Sequence, residues 1–166
     1  MSNVDDGGSL MKEKLMNLWD MDVNVDARCI TTNGDYSPQD TRKGIPIKAV
    51  MGRGVAKQAR IRYPGLDNWF AMLLEEKGNH VHMLLHPLRE GGSLLSFPVK
   101  HHWNEHADIT LIKRSAHELS EYAEGMKWQK IWLPRPGCGN GGLLWRYVKP
   151  AIEPILDDRF TVLDLP

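Results

Sequence analysis

Residues 136–143 read PGCGNGGL, so four of these eight positions are glycine. The segment follows a short apolar stretch that predicts a strand over residues 130–133, and it precedes an apolar pattern with helical spacing over residues 144–156. A glycine-rich loop between a strand and a helix can surround a phosphate with successive backbone N–H groups. The stretch therefore predicts an α/β fold with an anion site at the carboxyl end of a strand. A flexible connection is the alternative.

A second glycine-containing segment, VMGRGVA at residues 50–56, places Gly52 and Gly54 one residue apart. Both glycines come directly before a helix predicted to run to about Tyr63. Glycine lets the backbone approach a ligand closely, and a helix N-terminus presents N–H groups to an anion, which suits a diphosphate. A turn that only packs the helix on the sheet is the alternative. Two such loops in one small domain predict the two sides of one phosphate cleft.

Strand-like and helix-like stretches alternate along the rest of the chain, which predicts an α/β layer fold. Strands are predicted at residues 14–19, 28–32, 80–86, 93–99, 130–133 and 160–163. Asp67 and Asp108 are predicted to cap two helices. The second helix has its apolar residues at spacings of three and four, namely Ile109, Ile112, Ala116, Leu119, Ala123 and Met126. Residues 34–51 are polar and are predicted to form a long functional or mobile loop.

The composition indicates a single globular domain with no excess charge. The chain has 166 residues, with 21 basic and 21 acidic side chains. Proteins that coat duplex DNA are usually strongly basic, so the balance argues against that mode while allowing a small anionic ligand. Cys29 and Cys138 have no CxxC or zinc spacing, so we expect free thiols in a reducing cytoplasm. A cytoplasmic protein is also expected because no apolar run reaches transmembrane length and no signal-peptide core is present.

The segment FPVKHHW, residues 97–103, contains the strongest candidate for a chemically active side chain. Lys100 comes just after a predicted strand and beside aromatic residues, a position from which an amine can act as nucleophile or proton donor. A solvated lysine that begins a loop is the alternative, because most lysines are exposed. Trp103 follows in the same loop, where it is available to stack on a base.

Other histidines and tryptophans are predicted to be structural. No histidine spacing matches a zinc site, so we expect hydrogen-bonding roles for them and no metal. The histidines considered are His80 and His82, which alternate on one strand face, and His101, His102 and His106. The tryptophans that fall within predicted elements, and are therefore expected to pack in the core, are Trp19, Trp69, Trp132 and Trp145.

Taken together, these segments resemble the macrodomain family. DARCITTN at residues 26–33 resembles the family's second strand, and residues 50–57 and 136–143 resemble its two phosphate loops. The resemblance extends from about Trp19 to the C-terminus. It implies a three-layer α/β/α domain with a mixed central sheet, over residues 14–166, after a flexible lead-in at residues 1–13. It also implies that the ligand is ADP-ribose and that no cofactor is used.

Within the family, the chain resembles the DarG-type branch, the antitoxins that remove ADP-ribose from DNA. That branch has a phenylalanine-proline-x-lysine-x-histidine-tryptophan segment and a GNGGL loop, which correspond here to residues 97–103 and 139–143. The resemblance implies that Lys100 and Asn33 are catalytic, with Asn33 near the distal ribose, and that Asp20 reads the adenine amino group. Ile30 replaces the first asparagine of the usual strand motif, and the segment between Asn33 and Val50 is longer than in this branch.

The resemblance gives a specific interpretation of the site. The diphosphate is predicted to lie on the first loop and on the second, at Gly52, Arg53, Gly54, Val55, Gly137, Cys138, Gly139, Asn140, Gly141, Gly142 and Leu143. Lys100 either attacks C1″ of the opened sugar or stabilises charge as the glycosidic bond breaks. Asn140 and Gly141 stand where protein-directed glycohydrolases have an acid, which favours a DNA substrate.

The predicted substrate is an ADP-ribosylated nucleobase in single-stranded DNA. His102, Trp103 and Arg53 are the predicted nucleic-acid contacts, and a cognate ADP-ribosyltransferase toxin is a predicted partner. Two alternatives remain: a non-catalytic ADP-ribose reader, and a hydrolase of ADP-ribosylated protein or of ADP-ribose 1″-phosphate.

Overall fold

The computed structural model describes residues 9–166. Its strands are β1 (Lys12–Leu15), β2 (Ala27–Thr32), β3 (Tyr36–Ser37), β4 (Lys48–Ala49), β5 (Met83–Leu85), β6 (Ser93–Pro98), β7 (Ile131–Pro134) and β8 (Phe160–Asp164). Its helices are α1 (Gly54–Arg62), α2 (Leu66–Lys77), α3 (Ile109–Met126) and α4 (Trp145–Ile152). Among the helices of these residues, none combines the length and the apolar character that a membrane crossing requires.

Six strands form one sheet in the order β1-β8-β7-β2-β6-β5. All neighbours are parallel except β5, which runs antiparallel to β6. The inner strands β2, β6 and β7 are almost entirely buried, as expected when helices cover both faces of a parallel sheet. The predicted α/β fold with a mixed central sheet is confirmed.

Two apolar clusters, one on each face of the sheet, make this a three-layer domain. The first cluster packs α3 and α4 on the sheet, through residues that include Ile112, Leu119 and Val148. The second packs α1 and α2, through residues that include Ala59 and Phe70. Each helix contributes one apolar stripe and leaves its polar side to solvent.

The ends of the helices agree only in part with the predictions from sequence. Asp108 caps α3, because its side chain accepts a hydrogen bond from the backbone N–H of Thr110 at 2.9 Å. The prediction that Asp67 caps α2 is wrong: the helix begins two residues earlier, after Gly65 in a left-handed conformation with φ 92°. On α3, Ile109 and Met126 are exposed although an apolar spacing placed them on the buried face.

Several boundaries of strands and loops in the structure differ from those predicted from the sequence. The first strand ends at Leu15 and begins at Lys12, inside the predicted lead-in, so the folded domain begins before residue 14. Residues 1–8 of that lead-in lie outside the described residues. The predicted loop at 34–51 contains a two-stranded hairpin, β3–β4, whose base packs on α2.

A buried arginine fixes the loops near the amino ends of the strands. Arg28 on β2 has no exposed surface, and its guanidinium lies 4.7 Å from the centre of the Trp132 ring. Its N–H groups donate to the carbonyl oxygens of Leu18, Asp20, Asp22, Glu90 and Gly91, at distances between 2.6 and 3.3 Å. Burial lowers the pKa of Arg28, and the carboxylates of Glu90 and Asp22 oppose that change. One side chain thus joins the loop after β1 to the turn before β6.

Candidate functional site

A cleft of about 550 Å³ opens at the carboxyl ends of β8, β7, β2 and β6. Ligands of open α/β sheets bind at this edge, because the loops that follow parallel strands converge there. The side chains and backbone that line it are Thr31, Thr32, Asn33, Val50, Met51, Gly52, Arg53, Gly54, Val55, Ala56, Val99, Lys100, Trp103, Pro134, Arg135, Gly137, Cys138, Gly139, Asn140, Gly141, Leu163, Asp164 and Leu165.

Most of the residues predicted from sequence lie together in this cleft. Four of them do not line it, namely Asp20, His102, Gly142 and Leu143. Asp20 is tied to Arg28 through its backbone carbonyl at 2.7 Å, and Leu143 packs against the apolar cluster under α3. A Cβ at Gly142 would lie 2.8 Å from the Nδ1 atom of His106, so this exposed residue points at the His106 ring and not into the cleft.

Sequence reasoning missed the end of the cleft formed by β7 and β8. Arg135 follows β7, and Asp164 and Leu165 end and follow β8. The Arg135 guanidinium lies 3.6 Å from an oxygen of Asp164 and 3.8 Å from an oxygen of Glu13. These residues could have been found only from the topology of the sheet, because the carboxyl ends of all its parallel strands lie at the same edge.

The first glycine loop leaves the N-terminus of α1 open toward the cleft. Arg53 precedes the helix in an extended conformation, and its side chain makes no capping hydrogen bond. Gly54 has φ 57°, a conformation that favours glycine. A Cβ at Gly52 would meet nothing within 4 Å. The first N–H groups of α1 are therefore placed to bind an anion.

The second glycine loop is held by packing as well as by hydrogen bonds. A Cβ at Gly137 would lie 2.8 Å from Ile112 Cδ1, and one at Gly141 would lie 2.4 Å from the Gly137 carbonyl oxygen. The Leu143 N–H donates to the Gly137 carbonyl at 3.0 Å. Only glycine fits at the two crowded positions, so the loop can bring its backbone to the edge of the cleft.

At one end of the cleft, the Lys100 side chain forms hydrogen bonds to both sides. Its Nζ atom donates to the carbonyl oxygens of Trp103 and of Asn140, both at 3.3 Å. An ammonium group has three donors, so two carbonyl contacts leave one for a ligand. The Lys100 carbonyl in turn accepts from Asn79 Nδ2 at 3.0 Å, which fixes the backbone at this point.

Asn33 also lines the cleft, but its amide is used within the protein. The Nδ2 atom donates to the Val50 carbonyl at 3.1 Å, and the Oδ1 atom accepts from the Asp35 N–H at 2.9 Å. Asn33 therefore connects the end of β2 to the first glycine loop and shapes the wall beside Lys100.

Asp35 was not predicted and contacts the Lys100 segment directly. Its Oδ2 atom accepts from the Trp103 N–H at 2.7 Å, and its Oδ1 atom lies 2.9 Å from His102 Nδ1. The hydrogen bond to Asp35, followed by the charges of Asp35 and Glu105, raises the pKa of His102. These residues are 67 and 68 positions apart in the chain, so no local pattern indicates the contact.

The remaining histidines and cysteines have structural surroundings. His80 Nδ1 lies 2.7 Å from Glu118, and His82 Nε2 lies 2.8 Å from the Gly78 carbonyl, as the predicted hydrogen-bonding roles require. Burial raises the pKa of both cysteine thiols, Cys29 and Cys138, and both are free. Within residues 9–166, no group of three or more potential side-chain ligands is placed to hold a metal ion.

Solved structures with the same arrangement of strands and helices identify the fold. The macrodomain of Thermus aquaticus DarG superposes with a TM-score of 0.71 at 24% identity, covering 96% of this chain and all of that one. The macrodomain of Mycobacterium tuberculosis DarG gives the same TM-score at 20% identity over 94% and 98% of the two chains. The chain has the macrodomain fold. The three-layer macrodomain fold that the resemblance implied is confirmed.

Curated sequences agree with this fold. The DNA ADP-ribosyl glycohydrolase of Thermus aquaticus is 30% identical over 114 residues, which are 65% of this macrodomain and 31% of that protein. The protein of the same name from Mycobacterium tuberculosis is 24% identical over 127 residues, 72% of this macrodomain and 36% of that protein. The macrodomain thus spans about a third of the length of the curated relatives it matches.

A third solved structure contains a ligand. Thermosipho africanus DarTG in complex with ADP-ribose superposes on the macrodomain with a TM-score of 0.66 at 20% identity, covering 86% of this chain and 38% of that one. A search with models of protein families gave no match to the chain.

Proposed function

We propose that this macrodomain binds ADP-ribose and removes it from a modified nucleobase in single-stranded DNA. The observation that carries the proposal is the Lys100 ammonium, held at one end of a cleft whose middle is bordered by two glycine loops. The names of the relatives, DNA ADP-ribosyl glycohydrolase, support the reaction. The Thermosipho complex supports the ligand.

The strand order gives the ligand a direction along the cleft. Its floor crosses β8, β7, β2 and β6, three strand spacings or roughly 14 Å. A diphosphate over β7 and β2 would receive N–H groups from both glycine loops. The distal ribose would then lie at Lys100, after β6, and the adenosine at the end of β8. There Asp164, with Leu165, would make the adenine contact that the resemblance implied for Asp20.

The reaction needs a group that stabilises or attacks the C1″ carbon. The glycosidic bond breaks, the base leaves with the electron pair and takes up a proton, and water supplies the hydroxyl group of the released sugar. Lys100 can promote cleavage of the glycosidic bond in two ways. It can attack C1″ of the opened sugar as an amine, or it can stabilise charge in the transition state as a cation. Asn33 contributes by holding the wall beside C1″.

The mouth of the cleft favours a nucleobase over a bulky protein surface. Trp103 is 53% exposed directly beside Lys100, and an exposed indole stacks on bases of any identity. Arg53 is exposed on the opposite wall, and His102 adds charge next to Trp103 when protonated. The chain has no net charge, so the contact involves a few nucleotides and not a long duplex. A cognate ADP-ribosyltransferase that makes this substrate is the partner we propose.

A panel of three substrates tests the proposal. We expect release of ADP-ribose from an ADP-ribosylated single-stranded oligonucleotide and no release from ADP-ribosylated protein or from ADP-ribose 1″-phosphate. Liquid chromatography of the released nucleotide measures all three under the same conditions. Release only from protein or from the phosphate would assign a different hydrolase, and heat of binding to ADP-ribose without any release would assign a reader. In the DNA arm, Trp103→Ala should raise the KM more than it lowers kcat.

Replacing Gly52 by valine is expected to weaken ADP-ribose binding roughly tenfold or more without destabilising the fold. The new side chain would enter open space at the cleft, where the proposed diphosphate lies. The matched variant Gly137→Ala should behave in the opposite way. It crowds Ile112 and strains a residue at φ 75°, so we expect a loss of about 1–3 kcal/mol in unfolding free energy. Calorimetry with ADP-ribose and urea denaturation measure the two effects. Unchanged affinity in Gly52→Val would contradict the placement of the diphosphate.

A further inference from the structure

We propose that Asp35 is a positioning residue that holds residues 101–103 so that the Lys100 ammonium and the Trp103 indole face the cleft together. The inference rests on the proposed function and adds to it a residue that does not line the cleft. If Asp35 has this role, its removal should slow the reaction, because the turn after β2 that carries Asp35 positions the segment after β6 that carries Lys100.

A continuous set of hydrogen bonds connects Asp35 to Lys100. The two carboxylate oxygens of Asp35 contact the Trp103 N–H at 2.7 Å and His102 Nδ1 at 2.9 Å. The carbonyl of Trp103 then accepts from Lys100 Nζ at 3.3 Å. Trp103 donates through its N–H to Asp35 and accepts through its carbonyl from Lys100, so moving this residue moves the carbonyl that holds the ammonium.

Asp35 is itself fixed to both neighbouring walls of the cleft. Its backbone N–H donates to Asn33 Oδ1 at 2.9 Å, and its carbonyl accepts from the Val50 N–H at 3.0 Å. The preceding Gly34 donates to the His101 carbonyl at 3.1 Å, where a Cβ would come within 2.9 Å of the same oxygen. The carboxylate therefore belongs to a turn that is hydrogen-bonded both to the first glycine loop, at Val50, and to the segment after β6, at His101.

The segment that Asp35 contacts is fixed by hydrogen bonds and not by burial; besides Asp35, the Gly34 N–H bonds to the His101 carbonyl at 3.1 Å and the Glu105 N–H to the His102 carbonyl at 3.2 Å. Residues 101–106 are all exposed, so burial of apolar surface contributes little to their position. His101 contacts Asp108 at 3.0 Å, and His102 lies 4.0 Å from Glu105 within the same segment. From the turn after β2, Asp35 supplies two side-chain contacts to the segment, one of them to the backbone, next to the backbone bond of Gly34.

The charge on His102 gives the contact a measurable signature. Asp35, through its hydrogen bond and then its charge, raises the pKa of His102, with a smaller effect from Glu105. The ion pair is therefore complete below the ordinary pKa of histidine and is lost as the pH rises through the raised value. Removing the carboxylate should return the His102 pKa toward its ordinary range.

Asp35→Ala tests the inference, with Asp26→Ala as the matched control. Asp26 also accepts two backbone N–H bonds, from Gln129 at 2.7 Å and Lys130 at 3.0 Å, but it does so at the amino ends of the strands. We expect kcat on the modified oligonucleotide to fall on the order of 10²-fold in Asp35→Ala, because small displacements of a reacting group cost that much. The Kd for free ADP-ribose should change less than about twofold, and Asp26→Ala should keep the wild-type kcat.

Asp35→Asn keeps the measurement decisive if the alanine variant does not fold. Its amide oxygen can still accept from the Trp103 N–H, so we expect a smaller fall in kcat together with a lower His102 pKa, measured by NMR titration. Wild-type kcat in both Asp35 variants, or an equal fall in kcat in Asp26→Ala, would overturn the inference while leaving the proposed function intact. If the wild-type protein itself released nothing from the oligonucleotide, the proposed function would fail, and the role of Asp35 with it.

Discussion

Replacing Lys100 by alanine is expected to lower kcat for release of ADP-ribose from DNA by about 10³-fold, with little change in affinity for ADP-ribose itself. Removing one donor that stabilises a transition state costs 10²–10³ in rate in other hydrolases, and loss of a nucleophile costs about as much or more. The ligand should still bind, because the proposed diphosphate contacts come from backbone N–H groups at residues 52–55 and 137–141. Single-turnover release and calorimetry on the same preparation measure the two quantities.

Lys100→Arg separates the two roles open to the lysine. Arginine keeps the positive charge and can donate to the carbonyls of Trp103 and Asn140, but it does not act as an amine nucleophile at neutral pH. Partial activity in Lys100→Arg would assign a charge-stabilising role, whereas complete loss would assign nucleophilic attack on C1″. A Lys100→Ala variant that retained wild-type turnover would remove the lysine from the mechanism altogether. Lys113, exposed on α3, provides the control substitution.

Replacing Arg28 by methionine is expected to lower the free energy of unfolding by about 3–5 kcal/mol, the largest stability effect we predict. Methionine fills similar space but cannot donate, so the carbonyls of both loops would be left buried without their partner. The guanidinium donates all five of its N–H groups, and lysine has too few donors in the wrong geometry to replace it. Arg28→Lys should therefore retain only part of the stability.

Urea denaturation at pH 7, followed by tryptophan fluorescence, measures this effect. Arg42→Met is the matched control, because Arg42 is exposed at the tip of the hairpin and should change the unfolding free energy by less than about 0.5 kcal/mol. An Arg28→Met variant within about 1 kcal/mol of the wild type would show that water replaces the guanidinium at little cost.

Sequence patterns predicted the features that depend only on neighbouring residues, namely the inner strands, the glycine loops and the cap of α3. The inner strands and the glycine loops could be placed because β-branched runs and glycine clusters have their effect within a few residues. The same holds for the cap of α3 at Asp108. Asp67 failed as a cap because Gly65, in a left-handed conformation, occupies the cap position, and α2 begins at Leu66, two residues before the predicted start.

Contacts between distant parts of the chain could not be predicted in this way. Arg28 belongs to a strand that reads as ordinary, yet its partners are loops up to 63 positions away. Asp35 meets Trp103, 68 positions later, and Asp164 reaches the cleft only through the parallel register of β8 and β7. Each depends on the sheet order, which is set by the whole fold and not by the residues around it.

The unequal crowding of the glycine loops affects how this domain can change over evolutionary time. Neighbouring atoms lie too close to Gly137 and Gly141 for a side chain, so we expect substitutions there to destabilise the fold whatever the ligand. Gly52 has free space around it and no strained backbone, so selection on it acts through the ligand alone. New ligand preferences can therefore arise on the α1 wall while the opposite wall preserves the architecture.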